Sequence, residues 1–189
     1  MEQLTIKELI FYLPYRLNAK MLNYKCDYVG NEIDTIIGLE QWDKSGSLWS
    51  CLTIGGSKPS LSDIKPILRP LSDLIKEIEI NGEKFVPIIE ISKFLLGDRK
   101  VEDYGFSENK HYYYCETSDS INRQYCIFLE EDDLSLNISK KNFKMLEDRK
   151  NNIRESYSQL EYYNMLYKWH FDVFGLIKKG LAIDINTIK

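Results

Sequence analysis

The chain has 189 residues, enough to bury one sizeable core or two small ones, and its 43% hydrophobic and 29% charged residues are typical of a soluble globular protein. A formal net charge of -4 disfavours a general affinity for nucleic acid, because neutralising phosphates takes an excess of Lys and Arg. No apolar run is long enough to span a bilayer, and the N-terminus lacks the pattern of a signal peptide, so the composition disfavours membrane insertion and secretion.

A short helix and three strands are predicted in the first third of the chain. Thr5 and Glu8 fit a capping box that would open a helix, and Pro14 would end it. Extended segments then follow, the second of them rich in β-branched residues. These segments are 16–29, 32–40 and 48–54.

Prolines and glycines divide the middle of the chain. Pro66 and Pro70 exclude a continuous helix, so we predict a helical turn, an extended link and a second turn or helix. Asn81-Gly82 is the strongest local signal, since this pair favours the type I′ turn of a β-hairpin. The remaining predictions here are a helix at 88–96 ending near Gly97, a polar irregular stretch at 98–109, and a hairpin with strands at 110–117 and 123–129.

Apolar residues recur at three- and four-residue steps from about 139 to 179, which predicts a long C-terminal helix. Gly180 suits the left-handed position of a Schellman motif at its end, and residues 181–185 alternate as a short strand. An unbroken helix of this length would span about 60 Å. A domain of this size is only about 35–40 Å wide. We therefore expect either a kinked helix in a monomer or a straight helix in a homodimer.

Together these elements predict an α+β fold, in which a mostly antiparallel sheet packs against the long C-terminal helix. The N-terminal helix is expected to pack on the same core. Residues 1–189 are treated as a single domain, with an internal boundary possible near 98–109.

Residue types that carry catalysis or bind metals are sparse. The 4 cysteines form no C-x-x-C pair, so we predict neither a metal nor a cofactor. On a helix Asp172 would point away from His170, which favours a packed histidine over a general base. None of the Walker, G-x-G-x-x-G, G-x-S-x-G and H-E-x-x-H motifs occurs, which weakens the case for an enzyme without excluding one.

Tyrosines near the middle of the chain are the first candidates for binding a partner. Strand alternation would place Tyr112 and Tyr114 on one face of a sheet and Tyr113 on the other. The pair could form a platform on which bases stack. Ordinary strand aromatics that pack on the long helix are the simpler interpretation.

Basic residues are the second group of candidates. Lys140 and Lys144 belong to a basic side of the predicted long helix, which could meet an acidic partner or could pair with neighbouring carboxylates. Arg69 lies between two proline-stiffened turns. It could contact an anion or an interface, or it could hold its own loop by pairing with Asp63 or Asp73, which we favour.

Three stretches of the chain together resemble a known group of proteins. They are residues 5–17, residues 63–74 (DIKPILRPLSDL) with residues 81–87 (NGEKFVP), and residues 169–186, which contain WHFDVFGLI and GLAIDIN. These stretches are similar to uncharacterised small proteins encoded by phages and prophages of anaerobic gut bacteria. The resemblance does not cover residues 98–135 or the start of the long helix. It implies a phage origin and the cytoplasm of a bacterial host, and it brings no activity or site residues.

This implied origin leads to the hypothesis of a non-enzymatic phage accessory protein that binds a host or phage protein. The 13 tyrosines and the acidic net charge fit an interaction surface. Inhibition of a host-defence system is one form that such binding could take. The alternatives are a nucleic-acid-associated protein that uses the basic helix and the tyrosines, and an enzyme without a recognisable motif.

Overall fold

A computed structural model describes residues 3–22, 32–41, 49–120, 124–130, 134, 136–140 and 157–188. The chain divides into two compact units. The first unit combines Met1–Pro70 with Leu166–Lys189, and the second unit is Leu71–Met165. Along the sequence, the second unit is therefore an insertion into the first.

Strands outnumber helices among the described residues. The strands, in chain order, are β1 (Leu17–Met21), β2 (Ile33–Gln41), β3 (Trp49–Thr53), β4 (Ile64–Leu68), β5 (Ile78–Ile80), β6 (Glu83–Phe85), β7 (Lys100–Ser107), β8 (Tyr112–Ser118), β9 (Gln124–Glu130), β10 (Leu136–Lys140) and β11 (Ile183–Asp184). The α-helices are α1 (Ile6–Leu9), α2 (Pro87–Leu96) and α3 (Tyr157–Lys168). Short 3-10 helices cover Leu13–Tyr15, Leu61–Asp63, Leu71–Ile75 and Ile185–Thr187.

The first unit is built on a five-stranded sheet with the order β11-β4-β1-β2-β3. Its pairs are antiparallel except for β11, which runs parallel to β4. Leu17 and Ala19 of β1 are fully buried, while Asn18 between them is exposed. Leu17 pairs with Ile36 of β2, which is also fully buried. The period-two alternation of these strands therefore places one face of the sheet on the core.

The last part of the chain returns to the first unit beside the end of β4. Arg69 and Phe171 form an isolated parallel bridge. The Arg69 N–H donates to the carbonyl of His170 at 2.8 Å, and the Asp172 N–H donates to the carbonyl of Arg69 at 2.8 Å. These bonds fix the point where the chain leaves the first unit next to the point where it comes back.

A capped turn closes the C-terminal segment. The Asp172 carboxylate accepts hydrogen bonds from the N–H groups of Leu176 and Ile177, at 2.7 and 2.8 Å. At the other end the Leu181 N–H bonds to the Leu176 carbonyl, and the N–H of Gly180, whose φ is 72°, bonds to the Ile177 carbonyl. This is the bond pattern of the predicted Schellman motif, which is confirmed.

The second unit contains a four-stranded antiparallel sheet in the order β10-β9-β8-β7 and the separate hairpin of β5 and β6. Asn81 and Gly82 have φ values of 54° and 83°, so the predicted Asn-Gly hairpin turn is confirmed. The predicted helix at 88–96 is confirmed as α2, which ends before Gly97 with its φ of 77°. α2 packs against β8.

The α+β class and the mostly antiparallel pairing are confirmed, but the long C-terminal helix is wrong. Residues 136–140 form β10, paired with β9, and the described C-terminal helix covers only Tyr157–Lys168. His170 has a φ of 58°, a left-handed backbone that cannot continue a helix. The rest of the predicted helix, 141–156, lies outside the described residues. Because the described C-terminal helix has 12 residues, far fewer than would span about 60 Å, the choice between monomer and homodimer stays a prediction.

The irregular stretch predicted at 98–109 is also wrong, because residues 100–107 form β7. β7 lies at an edge of its sheet and carries exposed charges, so it lacks the apolar alternation of a half-buried strand. The single domain stays a prediction, since two compact units can still unfold together. Among the described residues, no helix is long and apolar enough to cross a membrane.

Candidate protein-binding face

Two candidate tyrosines share one face of the second unit's sheet. Tyr113 of β8 is buried, while Tyr112 and Tyr114 on either side of it are only partly covered. The rings of Tyr112 and Tyr114 meet edge to face, with centroids 6.3 Å apart. The predicted alternation of the three tyrosines is therefore confirmed, and we call the side with Tyr112 and Tyr114 the tyrosine face.

Tyr114 is held in place by its neighbour across the sheet. It pairs with Gly105 of β7, and a Cβ at Gly105 would lie 3.2 to 3.3 Å from the hydroxyl and two ring carbons of Tyr114. The ring therefore packs closely on the Gly105 backbone, where a larger residue would displace it by a few tenths of an ångström. The Tyr114 hydroxyl donates to the Asp103 carboxylate at 3.1 Å, and Asp103 also accepts from the N–H of Tyr104 at 2.9 Å. These contacts orient the ring before any partner arrives.

Carboxylates lie beside the two tyrosines. Asp103 of β7 pairs with Glu116 of β8, so two acidic residues stand directly opposite each other. Burial, the hydrogen bond to Asp103 and the charges of both carboxylates raise the pKa of Tyr114. A tyrosine with a raised pKa stays protonated at neutral pH, so its hydroxyl acts as a hydrogen-bond donor and not as a base. The tyrosine face can therefore offer aromatic contact and negative charge.

The opposite face of the same sheet is a core face. Tyr113, Cys115 and Thr117 are buried there, and burial raises the pKa of the Cys115 thiol. Cys126 pairs with Glu116 and so points to the tyrosine face, whereas Cys115 points to the core. The two thiols lie on opposite sides of the sheet, and neither forms a disulfide. Cys115 is thus a small buried hydrophobic side chain.

The structure describes two of the three basic candidates, Arg69 and the backbone of Lys140. Arg69 belongs to the first unit, where its backbone holds the returning chain at His170 and Asp172. Lys140 ends β10 with its backbone paired to Tyr125, and only its backbone is described. Lys144 lies outside the described residues.

His170 has a structural environment. Its Nε2 lies 2.9 Å from the carbonyl oxygen of Tyr15, so this nitrogen must donate, because a carbonyl can only accept. Burial lowers the pKa of His170, and the positive charge of Arg69 adds to the effect. The Asp172 carboxylate accepts hydrogen bonds from two backbone N–H groups and does not orient the imidazole. The arrangement matches the packed histidine of the sequence-based interpretation.

Sequence reasoning missed three residues of the tyrosine face. Asp103 and Gly105 are not candidates in the sequence because residues 98–109 are predicted to be irregular, and Glu116 joins them only through its pairing with Asp103. A strand at 100–107 with Gly105 opposite a tyrosine would have been the signal, since glycine inside a strand often marks a close approach.

Comparison with family models, curated proteins and solved structures finds no match for this chain. Within the described ranges, no group of three or more His, Cys, Asp and Glu residues could hold a metal ion.

Proposed function

We propose that this chain is a non-enzymatic protein-binding module of phage origin, which acts on a host or phage protein in the cytoplasm of a bacterial host. The observation that carries the proposal is the fixed orientation of Tyr114 over Gly105, beside Tyr112. Partly covered tyrosines with few rotatable bonds are typical of protein interfaces, where they bring contact area at a low entropic cost. Inhibition of a host-defence system is the form of action that we would examine first.

Charge supports a protein partner over nucleic acid. Asp103 and Glu116 lie on the tyrosine face, where they would repel the phosphates of a stacked strand. The whole second unit has 13 basic and 19 acidic residues, a net charge of -6. A stacking platform for bases would need cations beside the rings, so the nucleic-acid alternative receives no support from this face.

Affinity capture from host and infected lysates tests the proposal. The wild-type chain should retain a partner that is lost with the double variant Tyr112→Ala/Tyr114→Ala. Tyr104→Ala is the matched control, because Tyr104 belongs to β7 of the same sheet, is 38% exposed and pairs with the core-facing Cys115. Both variants should keep the circular dichroism spectrum of the wild type.

Two results would oppose the proposal. One is capture that the double variant leaves unchanged or that the control abolishes equally. The other is a gel shift of single-stranded nucleic acid that depends on Tyr112 and Tyr114 and weakens steeply with salt, which would favour the nucleic-acid alternative.

A further inference from the structure

The first unit carries an aromatic platform that is independent of the tyrosine face. The ring of Phe11 stacks on Tyr167 with centroids 5.1 Å apart and planes 13° apart, and it lies 6.1 Å from the ring of Phe174. Tyr167 and Phe174 also stack, at 6.2 Å. We call these three rings the Phe11 platform.

A buried tyrosine anchors the platform from below. Tyr12 is fully buried, and its ring meets Tyr167 edge to face with centroids 5.1 Å apart. Its hydroxyl donates to the Phe171 carbonyl at 2.7 Å and accepts from the Val173 N–H at 3.3 Å. Tyr12 therefore fixes the position of the rings that pack on it, so ordering these rings on binding would cost little conformational entropy.

The platform nevertheless leaves apolar surface open. Phe11 is 48% exposed and the adjacent Ile10 is 50% exposed. Large apolar side chains that are rigid, neighbouring and half-exposed are characteristic of interaction sites.

The charges around the platform are positive. Lys7 precedes Phe11 by four residues along consecutive helical turns, so it lies on the side of the Phe11 ring. Lys178 and Lys179 are exposed and follow Phe174 closely along the chain. The exposed cations on these segments are Lys7, Arg16, Lys178 and Lys179.

The neighbouring carboxylates are already engaged. Glu8 accepts hydrogen bonds from the N–H and the hydroxyl of Thr5, at 2.8 and 3.0 Å. Asp172 is buried against backbone N–H groups. The first unit as a whole has 12 basic and 10 acidic residues, a net charge of +2 in a chain whose total is -4.

From these observations we infer that the Phe11 platform is a docking surface for an acidic segment of a partner protein, in which apolar side chains alternate with carboxylates. The apolar side chains would pack on Phe11 and Ile10, and the carboxylates would meet the surrounding lysines. Such a segment would match the exposed apolar side chains of the surface and would carry the opposite charge to its lysines.

The test measures binding of fluorescein-labelled peptides to the full-length chain by fluorescence anisotropy. The probe is a short peptide of alternating glutamate and leucine, and its control is the same peptide with lysine in place of glutamate. We expect the acidic peptide to bind and its affinity to fall roughly tenfold in Phe11→Ala. Ile10→Ser, which removes a side chain outside the stack, should also weaken binding if Phe11→Ala proves unstable.

Matched variants distinguish binding at the Phe11 platform from a general effect of net charge on peptide binding. The double variant Lys178→Glu/Lys179→Glu should weaken binding of the acidic peptide. The double variant Lys84→Glu/Lys110→Glu makes an equal change of net charge at exposed lysines of the second unit and should leave the binding unchanged. Phe94→Ala, at a 50% exposed phenylalanine of α2, is the control for lost apolar surface and should bind as the wild type does.

Several outcomes would overturn the inference. One is equal binding of the acidic and the basic peptide. Another is a control variant that weakens peptide binding as much as the platform variants do. A third is binding that depends on Phe11 but occurs only with vesicles of phosphatidylcholine and phosphatidylserine. A homodimer in light scattering that Phe11→Ala dissociates would also overturn it, because the occupant would then be a second copy of the chain.

Discussion

Buried hydroxyl groups show how much a single residue depends on its partner. Thr117 of β8 is buried, and its Oγ1 finds no hydrogen-bond partner among the described residues. Thr53 of β3 is equally buried, but its hydroxyl lies 2.7 Å from that of Ser57 and also accepts from the Ser57 N–H. Because leaving a buried polar group unpaired costs free energy, the two threonines should respond oppositely to the same substitution.

We predict that Thr117→Val raises the free energy of unfolding by about 1 kcal/mol, since valine keeps the shape, favours strands and removes the unpaired hydroxyl. Thr53→Val should lower it by about 1 kcal/mol, because it leaves Ser57 without its partner. Urea denaturation measures both changes. A loss of stability in Thr117→Val as large as that in Thr53→Val would contradict the prediction.

His170 should make stability depend on pH. Because its pKa lies below the usual 6.5, the unfolded chain takes up a proton before the folded chain does. Its contribution to the free energy of unfolding is therefore complete above about pH 6.5 and is lost as the pH falls through the folded pKa. We expect the stability difference between wild type and His170→Asn to shrink as the pH is lowered from 7.5 towards 5.

The control for this prediction is His111→Asn. Both histidines have left-handed backbones, with φ values of 58° at His170 and 51° at His111, and asparagine tolerates that conformation. The His111 variant keeps His170 and should therefore still lose stability as the pH falls from 7.5 towards 5. Parallel profiles for wild type and His170→Asn in denaturant titrations would contradict the expected coupling.

At the scale of elements, a carboxylate clamps the turn after β3 to β2. Asp34 accepts hydrogen bonds from the N–H of Gly55 at 3.1 and 3.3 Å and from the N–H of Thr35 at 2.7 Å. A Cβ at Gly55 would lie 2.5 Å from the Asp34 carboxylate, so it would push the clamp open. Gly55 therefore allows a close approach that alanine would prevent.

We predict that Gly55→Ala and Asp34→Ala each lower the free energy of unfolding by about 1 kcal/mol. In the Asp34→Ala background, Gly55→Ala should be neutral or slightly stabilising, because the clash is gone and alanine restricts the unfolded chain. A double-mutant cycle by urea denaturation measures the coupling. Strictly additive losses would show that the clamp does not link the two positions.

Elements defined by local chemistry could be predicted from the sequence. Asn81-Gly82 and Gly97 dictate their own turn and helix end, and Gly180 likewise places the Schellman motif. β7 could not be predicted, because its sequence carries exposed charges without an apolar alternation. It forms a strand by pairing with β8. The predicted start of the long helix at 139 is wrong for the same reason, since pairing with β9 places residues 139 and 140 in a strand.

In the candidate sites, too, the features set by a local pattern could be predicted and the long-range contacts could not. The side of the sheet on which Tyr112 and Tyr114 lie follows from alternation within one strand, so it could be predicted. Gly105 under the Tyr114 ring and the stacking of Phe11 on Tyr167 are long-range contacts that no local pattern encodes.

At the scale of the whole molecule, the distribution of tryptophan offers a test of the single domain. All 3 tryptophans, Trp42, Trp49 and Trp169, belong to the first unit. Tryptophan fluorescence therefore reports on that unit, while far-ultraviolet circular dichroism reports on both. For a single domain we expect the two probes to give the same midpoint in urea and on heating. Separate midpoints would instead mean that the two units unfold independently.

The bridge between Arg69 and Phe171 has a consequence for the order of events during synthesis. The strands β1 to β4 are synthesised early, yet their sheet gains the strand β11 only after residues 183–184 have been made. The inserted second unit is complete in sequence before that point. On the ribosome the second unit can therefore fold before the sheet of the first unit is complete, and the apolar strands of the first unit stay incompletely covered for longer.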